Sequence, residues 1–386
     1  MNIGFVQLGE VSKDSGGRNY FINFVAAFAA FNREHHYPHR LKIFITAGEA
    51  FLIEKFLGEH ITVVSVPFSG GTSAAKVFGE QVVLPVQLLF SGLDVVYFPG
   101  NFASLLSPKP TVVAIRSMLY YHYPEAVARS RRIFRGLLTP PSAKRSQAII
   151  TPSQDIKNDV VKFVGTRAAK IFVVPHGINK EMFQTDYAEA KRAAVMQKFG
   201  ITKRFILYAS ALWRYKNQDK LILAFAELLK HGFDGQLVIA GQGINAFETY
   251  AAELSQLVSE LHLEGKVIFT GHLPHEELKY LYKYAALFAY PSGYESFGNP
   301  LFEAWAAGTP VVCANVHSFP EITLNGSCAL MCDPTDVAAL TSAMQQMLTD
   351  EALRNKFIDA GLRRIESVSW QKCVAETLTV LTAAAH

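Results

Sequence analysis

Residues 290–312 read YPSGYESFGNPLFEAWAAGTPVV, and the fold can be worked out from where a helix must begin within them. Pro300 lacks a backbone N–H and has a preset φ, so it suits the first helical turn, with Gly298 and Asn299 ahead of it as candidate caps. The unpaired N–H groups and positive dipole end of that helix point back at the loop from Tyr294 to Phe297, a setting suited to a phosphate or to sugar hydroxyls. With a strand end before the loop and the next strand after the helix, the stretch reads as strand, loop, helix, strand. It holds two carboxylates, Glu295 in the loop and Glu303 one turn into the helix on the side of Asn299. The helical rise plus a few loop residues sets them roughly 8–12 Å apart. That is too far for a retaining glycosidase pair, which needs about 5 Å, but it suits one ligand running past both. Taken singly, either glutamate is an ordinary acid at a helix start.

The rest of the chain repeats this alternation. Apolar, β-branched runs stand at 2–7, 42–46, 62–66, 94–98, 111–115, 147–151 and 171–175, then at 204–209, 236–240, 267–270, 286–290, 310–313 and 328–331, with helical-period segments between most of them. Two parallel, doubly wound sheets are the expected α/β architecture. The 386 residues, half of them hydrophobic, suffice for two cores. The break is expected in the polar stretch 178–202 after PHGIN, where Gly177 would permit a turn that other residues resist. The expected domains are 1–195 and 196–368, with a last helix at 369–384, around Trp370, returning to the first domain. Ligands on such sheets bind at the carboxyl ends of the strands, so two facing sheets would enclose one central cleft.

Composition narrows the function classes. No apolar run reaches membrane-spanning length, and MNIGFVQLG has neither a basic n-region nor a small-residue cleavage site, so a cytoplasmic enzyme is expected. Cys313, Cys328, Cys332 and Cys373 lie in apolar or helical contexts without the second pair a zinc site needs, and read as free structural thiols. Net charge is +4 but unevenly spread: residues 1–195 hold 22 Lys and Arg against 14 Asp and Glu, the remainder 15 against 19, so the halves carry +8 and −4. Arg129, Arg131, Arg132, Arg135, Lys144 and Arg145 alternate with Ile133, Phe134, Leu137 and Leu138. Such a segment is either a solvated helix face or a peripheral contact with an anionic membrane at its inner face. No nucleic-acid motif accompanies it, so nucleic acid is not an expected partner.

The run E-S-F-G-N-P-L-F-E-A-W-A-A-G-T-P-V-V resembles the signature of retaining glycosyltransferase family 4, in the GT-B fold class, whose pattern is E-x-F-G-x-x-x-x-E-A followed by a small residue and G-x-P-V-V. The resemblance covers nearly all of the second domain and the first more loosely. It implies two Rossmann-like domains facing a central cleft and transfer of a sugar from a nucleotide-diphosphate donor with its anomeric configuration kept. It also implies that Glu295 and the stretch Ser296, Phe297, Gly298 and Asn299 hold the donor sugar, while Glu303 holds the ribose hydroxyls.

Other family positions match in part. The family places Gly-Arg at the end of the second domain's first strand and a lysine six residues later, both on the diphosphate. Here Lys216 matches the lysine, Ala209-Ser210 replaces Gly-Arg, and Arg214 is the candidate for the missing charge. A nucleoside diphosphate leaves with growing negative charge, which preorganised cations stabilise. The chain has no Asp-x-Asp, so a metal-free site with no cofactor is expected. Gly241 and Gly243 form a weak G-x-G on the nucleotide side, and His272 with Leu273 match the segment that reads the base edge. In the first domain Gly16 and Gly17 open a helix close to a ligand, with Arg18 as a phosphate or acceptor contact. Where the family often has His-Asp, this chain has Arg116-Ser117, which points to an anionic acceptor or the leaving phosphate; His122 nearby reads as a packing residue. Ser153 reads as a helix cap.

The expected partners are a nucleotide-sugar donor and a glycan or lipid-linked acceptor. The alternatives are a nucleotide-sugar epimerase or hydrolase on the same architecture, separated by product analysis with and without acceptor, and a silent nucleotide-sugar-binding protein, excluded by turnover that disappears in Glu295→Ala.

Overall fold

The computed structural model describes the chain apart from residues 9–15, 37–38, 47–48, 68–77, 186 and 243–247. The first sheet has the order β3-β2-β1-β4-β5-β6-β7, with β1 Asn2–Gln7, β2 Arg40–Thr46, β3 Ile61–Val66, β4 Val95–Phe98, β5 Thr111–Ala114, β6 Ala148–Thr151 and β7 Ile171–Val173. The second has the order β10-β9-β8-β11-β12-β13, with β8 Phe205–Ala209, β9 Gln236–Ala240, β10 Val267–Gly271, β11 Leu287–Tyr290, β12 Val311–Ala314 and β13 Leu330–Cys332. Every ladder in both is parallel.

The sequence pattern explains which strands lie inside. β4, β8, β11 and β12 are continuous apolar runs, and β5, β6 and β9 are so but for the terminal Thr111, Thr151 and Gln236; all their residues are buried, as strands of a parallel sheet covered on both faces are. The edge strands β3 and β7 mix buried and exposed positions, as strands with an open side do. Each apolar run found in the sequence is a strand within two residues of its expected ends.

Packing divides the chain into two compact units, Met1–Gly177 with Val368–His386, and Ile178–Ser367. The boundary expected at 195/196 falls inside the Glu189–Lys198 helix, and that helix belongs to the second unit. Lys198 Nζ pairs with Glu277 Oε2 at 2.7 Å, and just upstream Tyr187 meets Tyr280 edge-on at 5.2 Å. These contacts hold the stretch after Gly177 against the His275–Tyr284 helix, so polarity alone misplaces the division.

In the first unit, Phe5, Phe21, Phe24, Tyr97 and Leu41 form a core that the Trp370–Ala385 helix completes with Cys373, Val374, Leu378 and Leu381. Gly177 is needed here for a different reason from the one its sequence context suggests. It is absent from the positive-φ glycines of the described residues, but a Cβ would lie 2.2 Å from the backbone nitrogen of Trp370. The glycine therefore serves a close approach and not a left-handed turn. Ser153 caps its helix, its Oγ accepting from Ile156 N–H at 3.3 Å. The four cysteines are buried and free. Among the described residues no helix is long and apolar enough to cross a membrane.

Candidate functional site

In the second sheet the strand order reverses between β8 and β11. Open α/β sheets bind ligands at such a switch point, beyond the carboxyl ends of the strands. Two loops leave the sheet there, 210–217 after β8 and 291–298 after β11. Backbone chemistry ties them together: Gly293 N–H donates to Tyr215 O at 2.6 Å, and Asn217 Nδ2 donates to Pro291 O at 2.9 Å. Asn217 itself sits at φ +57°, a left-handed conformation that asparagine tolerates better than most residues.

This stitching turns Lys216 inward. Its Nζ donates to Ser210 Oγ at 2.6 Å, to the Tyr290 hydroxyl at 2.8 Å and to Glu295 Oε1 at 3.0 Å. The Tyr290 hydroxyl in turn donates to the same Glu295 oxygen at 2.6 Å. The Lys216 and Glu295 side chains are only 10% and 15% exposed, so their attraction is less screened than at an open surface. Burial first, and then the Glu295 charge, push the Tyr290 phenol well above its usual range, so it remains a donor at neutral pH. The sequence-derived residues Ser210, Lys216 and Glu295 thus converge.

Two glycines allow this convergence. Gly241 is at φ +151°, and a Cβ there would lie 1.9 Å from Ser210 O. Its N–H donates to Gly271 O, and Ser210 N–H donates to Ala240 O, each at 2.9 Å, so the ends of β8, β9 and β10 close up. Gly243 lies outside the described residues. Gly298 is at φ +79° and would place a Cβ 2.9 Å from Ile322 Cδ1. It is the N-cap of the Asn299–Ala306 helix and brings no side-chain acceptor; Asn299 is the first helical residue and not the cap. Beneath the loop, Phe297 stacks on Phe302 at 4.7 Å and Phe302 meets Trp305 edge-on at 5.3 Å, an apolar footing for the polar residues above. Ser296 is half-buried.

Glu303 lies one turn into that helix, and its Oε2 accepts from the Tyr282 hydroxyl at 2.9 Å. Burial raises the pKa of its carboxyl, opposed by the His275 charge and by the Tyr282 hydrogen bond. Beyond β10, His272 is exposed and Leu273 is buried.

Arg214 does not join Lys216. It is exposed, pairs with Glu253 and lies over the Tyr250 ring at 5.1 Å, so its charge is directed at the Glu248–Glu260 helix. Tyr290 and Tyr282, which hold the two glutamates, are not marked by the sequence: Tyr290 ends an apolar strand, and Tyr282 is one of three tyrosines in the Lys279–Tyr284 part of a helix. Among the described residues no three His, Cys, Asp or Glu side chains gather as a metal-holding group.

In the first unit, Gly16, Gly17 and Arg18 open the Gly16–His35 helix that follows β1. Arg116 follows β5, with its backbone N–H on Asn101 Oδ1 at 2.8 Å. His122 does more than pack: its Nε2 is 2.6 Å from Asp159 Oδ2, and its ring meets Phe163 edge-on at 5.4 Å.

Residues 191–364 match the profile of the glycosyl transferases group 1, and residues 16–182 match that of glycosyltransferase family 4. The chain is 28% identical over 286 residues to the O-antigen chain mannosyltransferase B of Escherichia coli, covering 74% of this chain and 73% of that one. It is 31% identical over 242 residues to glycogen synthase of Mycobacterium tuberculosis, covering 62% and 55%. Among solved structures, Anabaena HepE in complex with UDP superposes with a TM-score of 0.77 at 20% identity, covering 99% of this chain and 100% of that one. Sucrose-phosphate synthase from Thermosynechococcus elongatus gives 0.77 at 19%, covering 99% and 98%.

Proposed function

The chain belongs to the family 4, group 1 glycosyltransferases and has their GT-B architecture, and from that premise we propose that it moves a sugar from a nucleotide-diphosphate donor to a hydroxyl acceptor, with retention and without a metal. The observation that carries this reading is the Lys216 ammonium held among Ser210, Tyr290 and Glu295 at the switch point of the second sheet. HepE was crystallised with UDP and with UDP-glucose, and we read the donor of this chain as the same chemical class.

In this reading the second unit, Ile178–Ser367, is the donor unit and the first is the acceptor unit. Glu295 and the amides from Phe297 to Asn299 hold the sugar, the diphosphate lies at the mouth of the Asn299–Ala306 helix, and Glu303 takes the ribose hydroxyls. Gly241, His272 and Leu273 line the nucleotide side, while Gly16, Gly17 and Arg18 serve the acceptor or the phosphates. Glu295 already accepts from Lys216 and Tyr290, which suits holding hydroxyls better than forming a covalent intermediate. The acceptor oxygen therefore attacks C1 on the face from which the diphosphate departs. The C1–O bond breaks with its electron pair going to the diphosphate, and a phosphate oxygen takes the acceptor's proton. Lys216 stabilises the charge that grows on the leaving group.

The acceptor is a glycan, a lipid-linked glycan or a small hydroxyl-bearing molecule. In support of peripheral contact with an anionic lipid surface, Ile133 and Leu137 lie one turn apart on the Arg129–Arg145 helix, 51% and 67% exposed, beside exposed Arg129 and Arg131 and half-buried Arg132. Arg135 lies over the Tyr120 ring at 5.8 Å.

The donor is tested by a thermal-shift screen of nucleoside diphosphates and their sugars. One diphosphate and its matching sugar should raise the melting temperature, by about 2.7 kcal/mol of stabilisation at a hundredfold excess over Kd. A panel in which none of them does so overturns the reading.

A further inference from the structure

Arg116 stands at the carboxyl end of β5, beside the switch point of the first sheet between β1 and β4. Its backbone is fixed by Asn101, a residue at φ +73° whose Oδ1 accepts from Arg116 N–H at 2.8 Å and whose Nδ2 donates to Ser117 O at 3.3 Å. The side chain is half-buried, with the guanidinium carbon 4.5 Å from the centre of the Tyr20 ring. Among the described residues no group accepts a hydrogen bond from that guanidinium, and no carboxylate pairs with it.

Among the described residues, the groups around it are neutral at neutral pH. Tyr20 and Tyr97 share a hydrogen bond of 2.7 Å, and burial pushes both phenols up. Burial and then the Arg116 charge lower the His176 pKa to about 3, so its ring is uncharged. The Cys373 thiol is pushed up to about 12 by burial. Arginine stays charged throughout the physiological range and offers five N–H donors in a fork that matches a carboxylate or phosphate. A half-buried cation whose described neighbours are phenols, a neutral imidazole and a thiol is completed by an anion that enters beside it.

We propose that Arg116 is the recognition residue for an anionic group, a phosphate or carboxylate, carried by the acceptor sugar. The Tyr20 ring holds the guanidinium from one side, its centre 4.5 Å from the guanidinium carbon, and Asn101 fixes the Arg116 backbone. This deepens the glycosyltransferase reading by naming the acceptor class and rests on it. Arg116 is a binding residue and does not act in bond cleavage.

The test uses the full chain, the variants Arg116→Met and Arg116→Lys, and binding of glucose 6-phosphate, glucuronate, inorganic phosphate and glucose. Wild type should bind at least one anionic sugar roughly 10- to 100-fold more tightly than glucose, the range of a charge-assisted hydrogen bond. Arg116→Met should remove that preference with an equal or higher melting temperature, because a half-buried charge without a carboxylate partner among the described residues is removed. Arg116→Lys should keep part of it, and it serves as the test if the methionine variant does not fold. Three results overturn the proposal: anionic and neutral sugars binding alike, a preference unchanged in Arg116→Met, or a preference unchanged in Arg116→Lys where the methionine variant does not fold. If inorganic phosphate binds as tightly as glucose 6-phosphate, the site is for free phosphate. If a nucleoside diphosphate displaces the anionic sugar, the site belongs to the donor. Either result also overturns it. Glu303→Gln separates the two readings: it should weaken nucleoside diphosphate alone and leave the anionic sugar bound.

Discussion

Replacing Lys216 by Met keeps the length of the side chain and removes its charge and three hydrogen bonds, those to Ser210 at 2.6 Å, Tyr290 at 2.8 Å and Glu295 at 3.0 Å. Removing one partner of a buried ion pair costs about 3–5 kcal/mol, because the other charge is left without compensation. Here Glu295 keeps the Tyr290 hydroxyl at 2.6 Å and is 15% exposed, so the cost falls near the lower end, about 3 kcal/mol. In a unit of this size that lowers the melting temperature by roughly 6–12 °C. The effect on turnover is separate. Loss of one preorganised group stabilising transition-state charge costs about 10²- to 10³-fold in kcat. The assay is nucleoside diphosphate release at 25 °C, with circular dichroism confirming the folded state. The double variant Lys216→Met/Glu295→Gln should recover part of the lost stability, since no carboxylate is then left behind, but none of the lost turnover. A kcat within threefold of wild type would remove Lys216 from the mechanism, whatever the stability loss.

Other expectations concern separate parts of the chain. Glu303→Gln should weaken nucleoside diphosphate binding by roughly 10- to 100-fold, the scale of hydrogen bonds to a charged group, read by calorimetry. Because burial raises the pKa of Glu303 and the ribose hydroxyls need the carboxylate as acceptor, wild-type affinity should fall as pH drops, starting above the ordinary glutamate range. A flat profile contradicts the ribose role. His176 is held at about 3 against an ordinary 6.5, so the unfolded chain binds the extra proton first and the first unit loses stability as pH falls from 6.5 towards 3. The slope is at most about 1.4 kcal/mol per pH unit, and denaturant melts should show it disappear in His176→Gln. Gly177→Ala places a Cβ 2.2 Å from Trp370 N and should cost about 1–3 kcal/mol by overpacking, seen as a lowered midpoint in urea. Anionic vesicles should retain the protein at low salt and release it at high salt, whereas the double charge reversal Arg129→Glu/Arg131→Glu should not bind them.

How much of this could be read in the sequence depended on how local the cause was. Strands are set by runs of neighbouring apolar residues, so the thirteen strands among the described residues are legible, as is the helix start that Gly298 and Pro300 force. Lys216 and Glu295 could be marked singly, but their contact depends on two backbone bonds between distant loops, Gly293 to Tyr215 and Asn217 to Pro291. Arg214 illustrates the opposite case: two residues from Lys216 in sequence, it is drawn to Glu253, which no local pattern announces. The role of Gly177 is hidden in the sequence because its neighbour, Trp370, is nearly two hundred residues away in the chain. The unit boundary is set likewise by distant contacts, Lys198 with Glu277 and Tyr187 with Tyr280. Tyr282 and Tyr290 are not legible because a buried tyrosine looks the same in sequence whether its hydroxyl is idle or holds a carboxylate.

The central claim is that one donor molecule lies across the carboxyl ends of β8 and β11, with its diphosphate beside Lys216. A crystal structure with a bound nucleotide-sugar tests this most directly. The account predicts ribose hydroxyls within hydrogen-bond distance of Glu303, the sugar against Glu295, and the diphosphate at the first amides of the Asn299–Ala306 helix. A donor seated elsewhere on the second unit, or bound there with Glu303 and Lys216 both out of contact, would contradict it.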